Sequence, residues 1–183
     1  MSDSTVKSGR AADSTEAQRA MRWRAIYLMA AFGIFTADQM TKAWAIARLR
    51  FSEEIVVIPG FLNFTYAENT GIAFGQLQYG GAMRWLLVLF AAIAAVGVLI
   101  YFFRAPRDGD RVLGACALLI AGILGNLADR VRLGYVVDFI LFYVKDFHWP
   151  IFNIADMSIC AGALLLAIDA FSDRGQRSEV GGQ

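Results

Sequence analysis

Nineteen consecutive residues, Trp85 to Phe103, carry no charge. A second uncharged run of 17 residues spans Val112 to Ala128. A helix needs about 20 apolar residues to cross the ~30 Å hydrocarbon layer of a bilayer. Two further apolar segments, Ala25 to about Ala47 and from near Asn153 to near Phe171, are interrupted by Asp38, Lys42, Asp156 and Asp169. The chain is 57% hydrophobic with a mean hydropathy of +0.49, more apolar than an ordinary soluble domain. Backbone polar groups in lipid must be satisfied within the spanning segment, which favours helices over open strands. The predicted fold is therefore an all-α integral membrane protein with four transmembrane helices.

The remaining residues divide the chain. Residues 1–22 are polar and predict a disordered cytoplasmic tail. Residues 23–172 form the membrane domain, and residues 173–183 a polar cytoplasmic tail. An alternative reading of the first segment is a cleavable secretory signal, with Arg22 and Arg24 ahead of an apolar run and Ala45-Ile46-Ala47 behind it. Against it, Trp44 and a charged pair occupy the cleavage region, and the apolar run continues around them. Between the first two spans, the β-branched and aromatic runs Ile55–Ile58 and Phe61–Tyr66 flank Pro59-Gly60, a hairpin signal. The N-terminal tail, the loop 104–111 and the C-terminal tail are basic, so the positive-inside rule puts both termini in the cytoplasm and loops 48–82 and 130–150 outside.

With that topology, Asp38, Lys42, Asp129, Asp138 and Asp156 all fall near the outer boundary of the membrane. Carboxylates near hydrocarbon cost roughly 2.5–3.5 kcal/mol each even on mild insertion scales and are rarely idle. Several have structural explanations. Asp38 and Lys42 are spaced for a local ion pair. Asp129 and Arg130 suit a helix end, and Asn153 with Asp156 three residues later suits an N-cap. Asp138, set in Val136-Val137-Asp138-Phe139-Ile140, needs a partner. A second carboxylate sharing one proton would supply it, as in aspartic proteases. A single histidine, His148, and two cysteines in apolar runs, Cys116 and Cys160, argue against a metal centre or a disulfide framework. The net charge of +1 gives no nucleic-acid footprint. The residues thus leave open an aspartate-dependent hydrolase, a proton-coupled carrier or a membrane scaffold. A carrier should place polar groups deep in several spans, and the second span has none.

Five motifs in order, DQMTK (38–42), ENTGIAFG (68–75), GNLADR (125–130), VVDF (136–139) and FNIAD (152–156), resemble the bacterial lipoprotein signal peptidases (signal peptidase II) over about residues 25–172. That resemblance implies a membrane aspartic endopeptidase with no cofactor. Its substrates would be diacylglyceryl-modified prolipoproteins, cut just before the lipidated cysteine. It implies Asp138 and Asp156 as the catalytic pair. Asn69, Gly71, Asn126, Asp129, Arg130, Asn153, Asp38 and Lys42 would line or support the site. It further implies a small extracytoplasmic β-cradle with an interfacial helix in loop 48–82, a monomer in the bacterial inner membrane, contact with membrane lipid, and inhibition by globomycin-type peptide antibiotics.

Overall fold

A computed structural model describes residues 3–71, 81–105 and 110–180. Four helices, α1 (Asp3–Leu49), α2 (Gly81–Arg104), α3 (Asp110–Arg132) and α4 (Ile154–Val180), account for most of it. Three of them, over Ala82–Arg104, Asp110–Arg132 and Ile154–Ser172, are long and apolar enough to cross a membrane. The stretch in α3 is 67% covered by protein against 6% in α2, so α3 is the central helix. On α2, Leu86, Leu89, Phe90, Ile93 and Val96 are exposed. That outward apolar face suits lipid and would be prohibitive in water.

α3 is central because small residues line its contacts. A Cβ at Gly122 would strike the Ala155 carbonyl and come within 2.7 Å of the Ile159 side chain; one at Gly162 would lie 2.8 Å from the Ala115 carbonyl. The α3 and α4 backbones are therefore in near contact, as small residues permit in membrane helix pairs. Ala31 of α1 packs on Ala117 and Ala121 of α3. At the Ala105 end, Phe102, Val112, Leu113, Cys116 and Ile120 close a core with Tyr27, Leu28 and Leu166.

At the opposite end lies an antiparallel sheet of order β1-β2-β3-β4, comprising β1 (Ile55–Ile58), β2 (Leu62–Asn69), β3 (Val136–Val144) and β4 (Phe147–His148). The β1–β2 hairpin turns at Pro59-Gly60, where Gly60 takes φ 78°, matching the predicted strand pair. β3 falls within 130–150, where the sequence predicts only an outer loop. It pairs along β2 from Leu62↔Phe142 to Asn69↔Val136, with an irregularity between Phe64 and Ala67. Trp44 of α1 packs edge-on against Phe64 and Phe139, with ring centroids 5.5 and 6.2 Å away, and so fixes the sheet to the end of α1. The sheet corresponds to the small β-cradle that the resemblance implies, beside an otherwise helical fold.

The α1 backbone is helical from Asp3, and α4 runs on to Val180. The N-terminal stretch is polar but holds strong helix formers such as Ala11, Ala12, Glu16 and Ala17, and the first proline in the chain is Pro59. A helix already nucleated over the apolar part of α1 propagates backward at little cost. The interfacial helix expected in loop 48–82 is not found among its described residues, and 72–80 lie outside the description.

Candidate active site

Three helix ends and the β2–β3 pair meet at one place. β3 delivers Asp138, opposite Ala67 of β2. The chain then returns, and Phe152 bonds to Ile140 in both directions (3.1 and 2.9 Å). Asn153 is thereby held beside Asp138 just where α4 begins. Its side-chain Oδ1 accepts the Asp156 N–H at 2.9 Å, and its own N–H donates to Asp156 Oδ2 at 3.3 Å. That is the reciprocal helix cap the spacing predicted, with aspartate in place of the usual Glu or Gln.

The same asparagine also serves the other acid. Asn153 Nδ2 donates to Asp138 Oδ1 at 2.7 Å. Asn126 of α3 donates through Nδ2 to Asp156 Oδ1 at 2.7 Å. Asn69 at the end of β2 donates to Asp138 Oδ2 at 2.9 Å, and its Oδ1 accepts the Gly71 N–H at 2.8 Å. Gly71 has φ +77°, and a Cβ there would meet Leu87 of α2 at 2.6 Å, so only glycine closes this turn without strain. The partner that Asp138 needs is therefore a pair of amides, with Asp156 as a charged neighbour.

Asp138 is 2% exposed, whereas Asp156 is partly open. Burial, the largest effect, pushes the Asp138 carboxyl up to about 6; the negative Asp156 adds to this, and the Asn69 and Asn153 hydrogen bonds and Lys42 oppose it. One acid is thus desolvated and the other meets water.

Beneath them lies a charged cluster. Lys42 Nζ is 3.0 Å from Asp38 Oδ2, 3.0 Å from Asp129 Oδ2 and 3.0 Å from Asn126 Oδ1, and all four side chains are buried. The local Asp38–Lys42 pair exists, but Lys42 also ties α1 to α3. Asp38 Oδ1 accepts the Ala155 N–H at 2.9 Å, placing a carboxylate on the N-terminal turn of α4. Asp129 Oδ2 accepts the Val137 N–H at 3.2 Å, one residue before Asp138. Asp129 therefore does more than end a helix, since it aligns the strand that carries Asp138. Arg130 sits within electrostatic reach of Asp156, Asp138 and Asp129, and donates to the Asn126 carbonyl at 3.3 Å. All ten residues singled out in the sequence lie in this one assembly.

Two residues were not singled out. Gln39 Nε2 lies 3.2 Å from Asp38 Oδ2, 3.1 Å from Asp129 Oδ1 and 3.2 Å from the Gly125 carbonyl. Its position three residues before Lys42 in an apolar helix was a usable signal. Arg84, at the start of α2, donates from Nε and Nη2 to the carbonyls of Arg130 and Val131, at 2.7 and 2.5 Å. It caps the end of α3, and nothing short of the fold would have paired it there.

A helical bundle with membrane-length apolar helices, carrying buried and half-buried carboxylates at one end under a small sheet, is the architecture of a membrane enzyme. Two solved bacterial membrane enzymes, determined by the in meso method, match it. One superposes with a TM-score of 0.74 at 33% identity, covering 81% of this chain and 94% of that one. The other gives 0.72 at 32% identity, over 83% and 91%. Residues 30–172 match the family model described as signal peptidase (SPase) II. The chain belongs to the signal peptidase II family of proteases. Similar proteins include lipoprotein signal peptidases of Alteromonas mediterranea, 42% identical over 81% of each chain, and Shewanella woodyi, 44% identical over 75% of this chain and 78% of that one. Another, from Symbiobacterium thermophilum, is 43% identical over 70% and 83%.

Proposed function

We propose that this protein removes the signal peptide from diacylglyceryl-modified prolipoproteins, cleaving just before the lipidated cysteine, with Asp138 and Asp156 as an aspartic catalytic pair. The observation that carries this reading is the placement of Asp138, buried and raised to about 6, beside the more open Asp156, with Asn153 hydrogen-bonded to both. The reactive form of the pair holds one proton, a form favoured as pH falls toward about 6. The ionised member draws a proton from a water between them as that water attacks the scissile carbonyl carbon. The protonated member donates to the carbonyl oxygen, giving a neutral diol. Collapse of the diol returns a proton to the leaving amine and the pair to its starting state. Asn69 and Asn153 hold Asp138 in one rotamer, and Asn126 does the same for Asp156.

The remaining parts of the reading follow from the same end of the molecule. α1 supplies a fourth span, its Asp38 and Lys42 neutralising each other inside the bundle. Both termini are cytoplasmic, and the carboxylates face outward at the boundary of the inner membrane. There the diacylglyceryl group of a substrate, anchored in lipid, holds the scissile bond at the depth of the pair. The orientation so gained lowers the barrier beyond what affinity supplies.

The test is cleavage of a lipidated precursor by purified protein at matched amounts. Asp138→Asn and Asp156→Asn should each lose about 10²–10⁴-fold in turnover, and the double variant little more, because the two acids act as one unit. The unlipidated precursor should be cut poorly by the unaltered enzyme. Substantial turnover by either single variant would move the chemistry elsewhere, Asp129 being the next carboxylate at hand.

A further inference from the structure

An apolar groove runs between α1 and α3 on the side of α3 away from α4. It encloses about 610 Å³, within the ~300–1,000 Å³ range of small-molecule sites. Its walls include Phe32 and Phe35 of α1 and Leu124 and Leu127 of α3; Ala31 and Ala121 lie along it where the two helices touch. Along α3 it extends from Ile120 to Arg132, which at ~1.5 Å per residue is ~18 Å. One leaflet of hydrocarbon is ~15 Å deep. The groove thus has the length of a single leaflet, and a cationic side chain stands at its mouth.

The mouth is built to meet an anion. Arg132 is exposed in the last turn of α3, where the sheet and the polar cluster mark the membrane boundary. Its Nη1 donates to Gln39 Oε1 at 3.1 Å, and the Gln39 amide donates in turn to Asp38 and Asp129. The guanidinium is therefore held in place at the end of the groove. A helix, ~10–12 Å across with its side chains, does not suit a slot between two helices already in contact at their alanines. A hydrocarbon chain does.

We propose that this groove binds one anionic phospholipid, an acyl chain lying between Phe32 and Leu124 and the phosphate resting on Arg132. The lipid belongs to the leaflet nearest the carboxylates. It occupies a face separate from theirs, so this inference holds or fails independently of the cleavage mechanism.

The experiment is native mass spectrometry of the full chain, released from nanodiscs of equimolar phosphatidylglycerol and phosphatidylcholine. The unaltered protein should carry one phospholipid, enriched in phosphatidylglycerol. Arg132→Gln should reduce that enrichment about fivefold, the share one basic side chain contributes at a membrane surface. Leu124→Trp, which fills the groove, should release lipid of both kinds while leaving precursor cleavage and helicity intact; Leu127→Trp gives the same reading should the first variant misfold. Equal retention of the two lipids by the unaltered protein would overturn the proposal, as would full retention in both tryptophan variants. Copurification as a dimer that the tryptophan variants dissociate would assign the groove to a second copy and also overturn it.

Discussion

Asn69 donates to Asp138 and so stabilises its charged form. Its removal therefore gives a signed expectation. In Asn69→Ala the Asp138 carboxyl, already pushed up to about 6, should hold its proton to a higher pH. On the proposed mechanism, the alkaline limb of kcat/KM reports loss of the pair's last proton in the free enzyme, and it should move upward. A limb that stays in place or moves down would mean another group sets it. Lys42 supports the opposite kind of experiment. It is 2% exposed between Asp38 and Asp129, and Lys42→Met would leave two buried carboxylates without a cation. A loss of about 3–5 kcal/mol is expected for such a broken pair, read as a fall in thermal midpoint. Asp129→Asn in the same background should recover part of it. At this scale the sequence was most informative where a residue contradicted its setting. Asp138 among Val, Phe and Ile, and Asn153 three residues ahead of Asp156, could be read from spacing alone. The reach of Lys42 to Asp129 and Asn126 could not, because 84 residues separate Lys42 from Asn126 and no local pattern joins them.

The helices were legible because an uninterrupted apolar run of membrane length has few other uses. The β1–β2 hairpin was legible from Pro59-Gly60 between two β-branched and aromatic runs. β3 was not, for a physical reason. Its residues Val136–Phe139 are all buried, so apolar residues do not alternate with polar ones. Its partner β2 is 69 residues away where Asn69 meets Asp138. The helix-on-helix contact that sets the site was equally hidden, since a glycine in a membrane span has several possible uses. Its present use can be tested. A methyl group at Gly122 would strike the Ala155 carbonyl, in the first turn of α4 that carries Asp156. Gly122→Ala should cost about 1–3 kcal/mol through overpacking and should lower kcat, because α4 must move away from Asn126. Gly162→Ala meets the Ala115 carbonyl at 2.8 Å, two turns further along α4. It should lose comparable stability with a smaller loss of kcat. Equal effects of the two on turnover would show that the α3–α4 spacing does not position Asp156.

For the molecule as a whole, every polar residue of the site lies at one end of the bundle. Residues 38–42 are near the end of α1, residues 126–130 near the end of α3, and residues 153–156 at the start of α4, with the sheet beside them. Which side of the membrane that end faces is decided elsewhere, by charges at the other end. Arg22 and Arg24 precede the apolar part of α1, Arg104, Arg107 and Arg111 fall in the segment 104–111 between the apolar parts of α2 and α3, and Arg174 and Arg177 follow the apolar part of α4. Basic residues in short flanking segments are held on the cytoplasmic side. On the site side, Arg48, Arg50 and Lys145 are accompanied by Glu53, Glu54, Glu68 and Asp146, and Arg50 is engaged with Glu68 at 3.1 Å. Reporter fusions after residue 108 and at the C-terminus should therefore read cytoplasmic, and a fusion near Gln78 should read external. Replacing Arg104, Arg107 and Arg111 together by Gln should weaken that orientation without touching the carboxylates. A mixed population, detected as dual labelling at residue 108, should then lose cleavage in proportion to its inverted fraction, because the proposed reaction takes place at the outer face. An external reading at 108 in the unaltered protein would place Asp138 and Asp156 on the cytoplasmic side. The proposed substrate would then be out of their reach, whatever their chemistry.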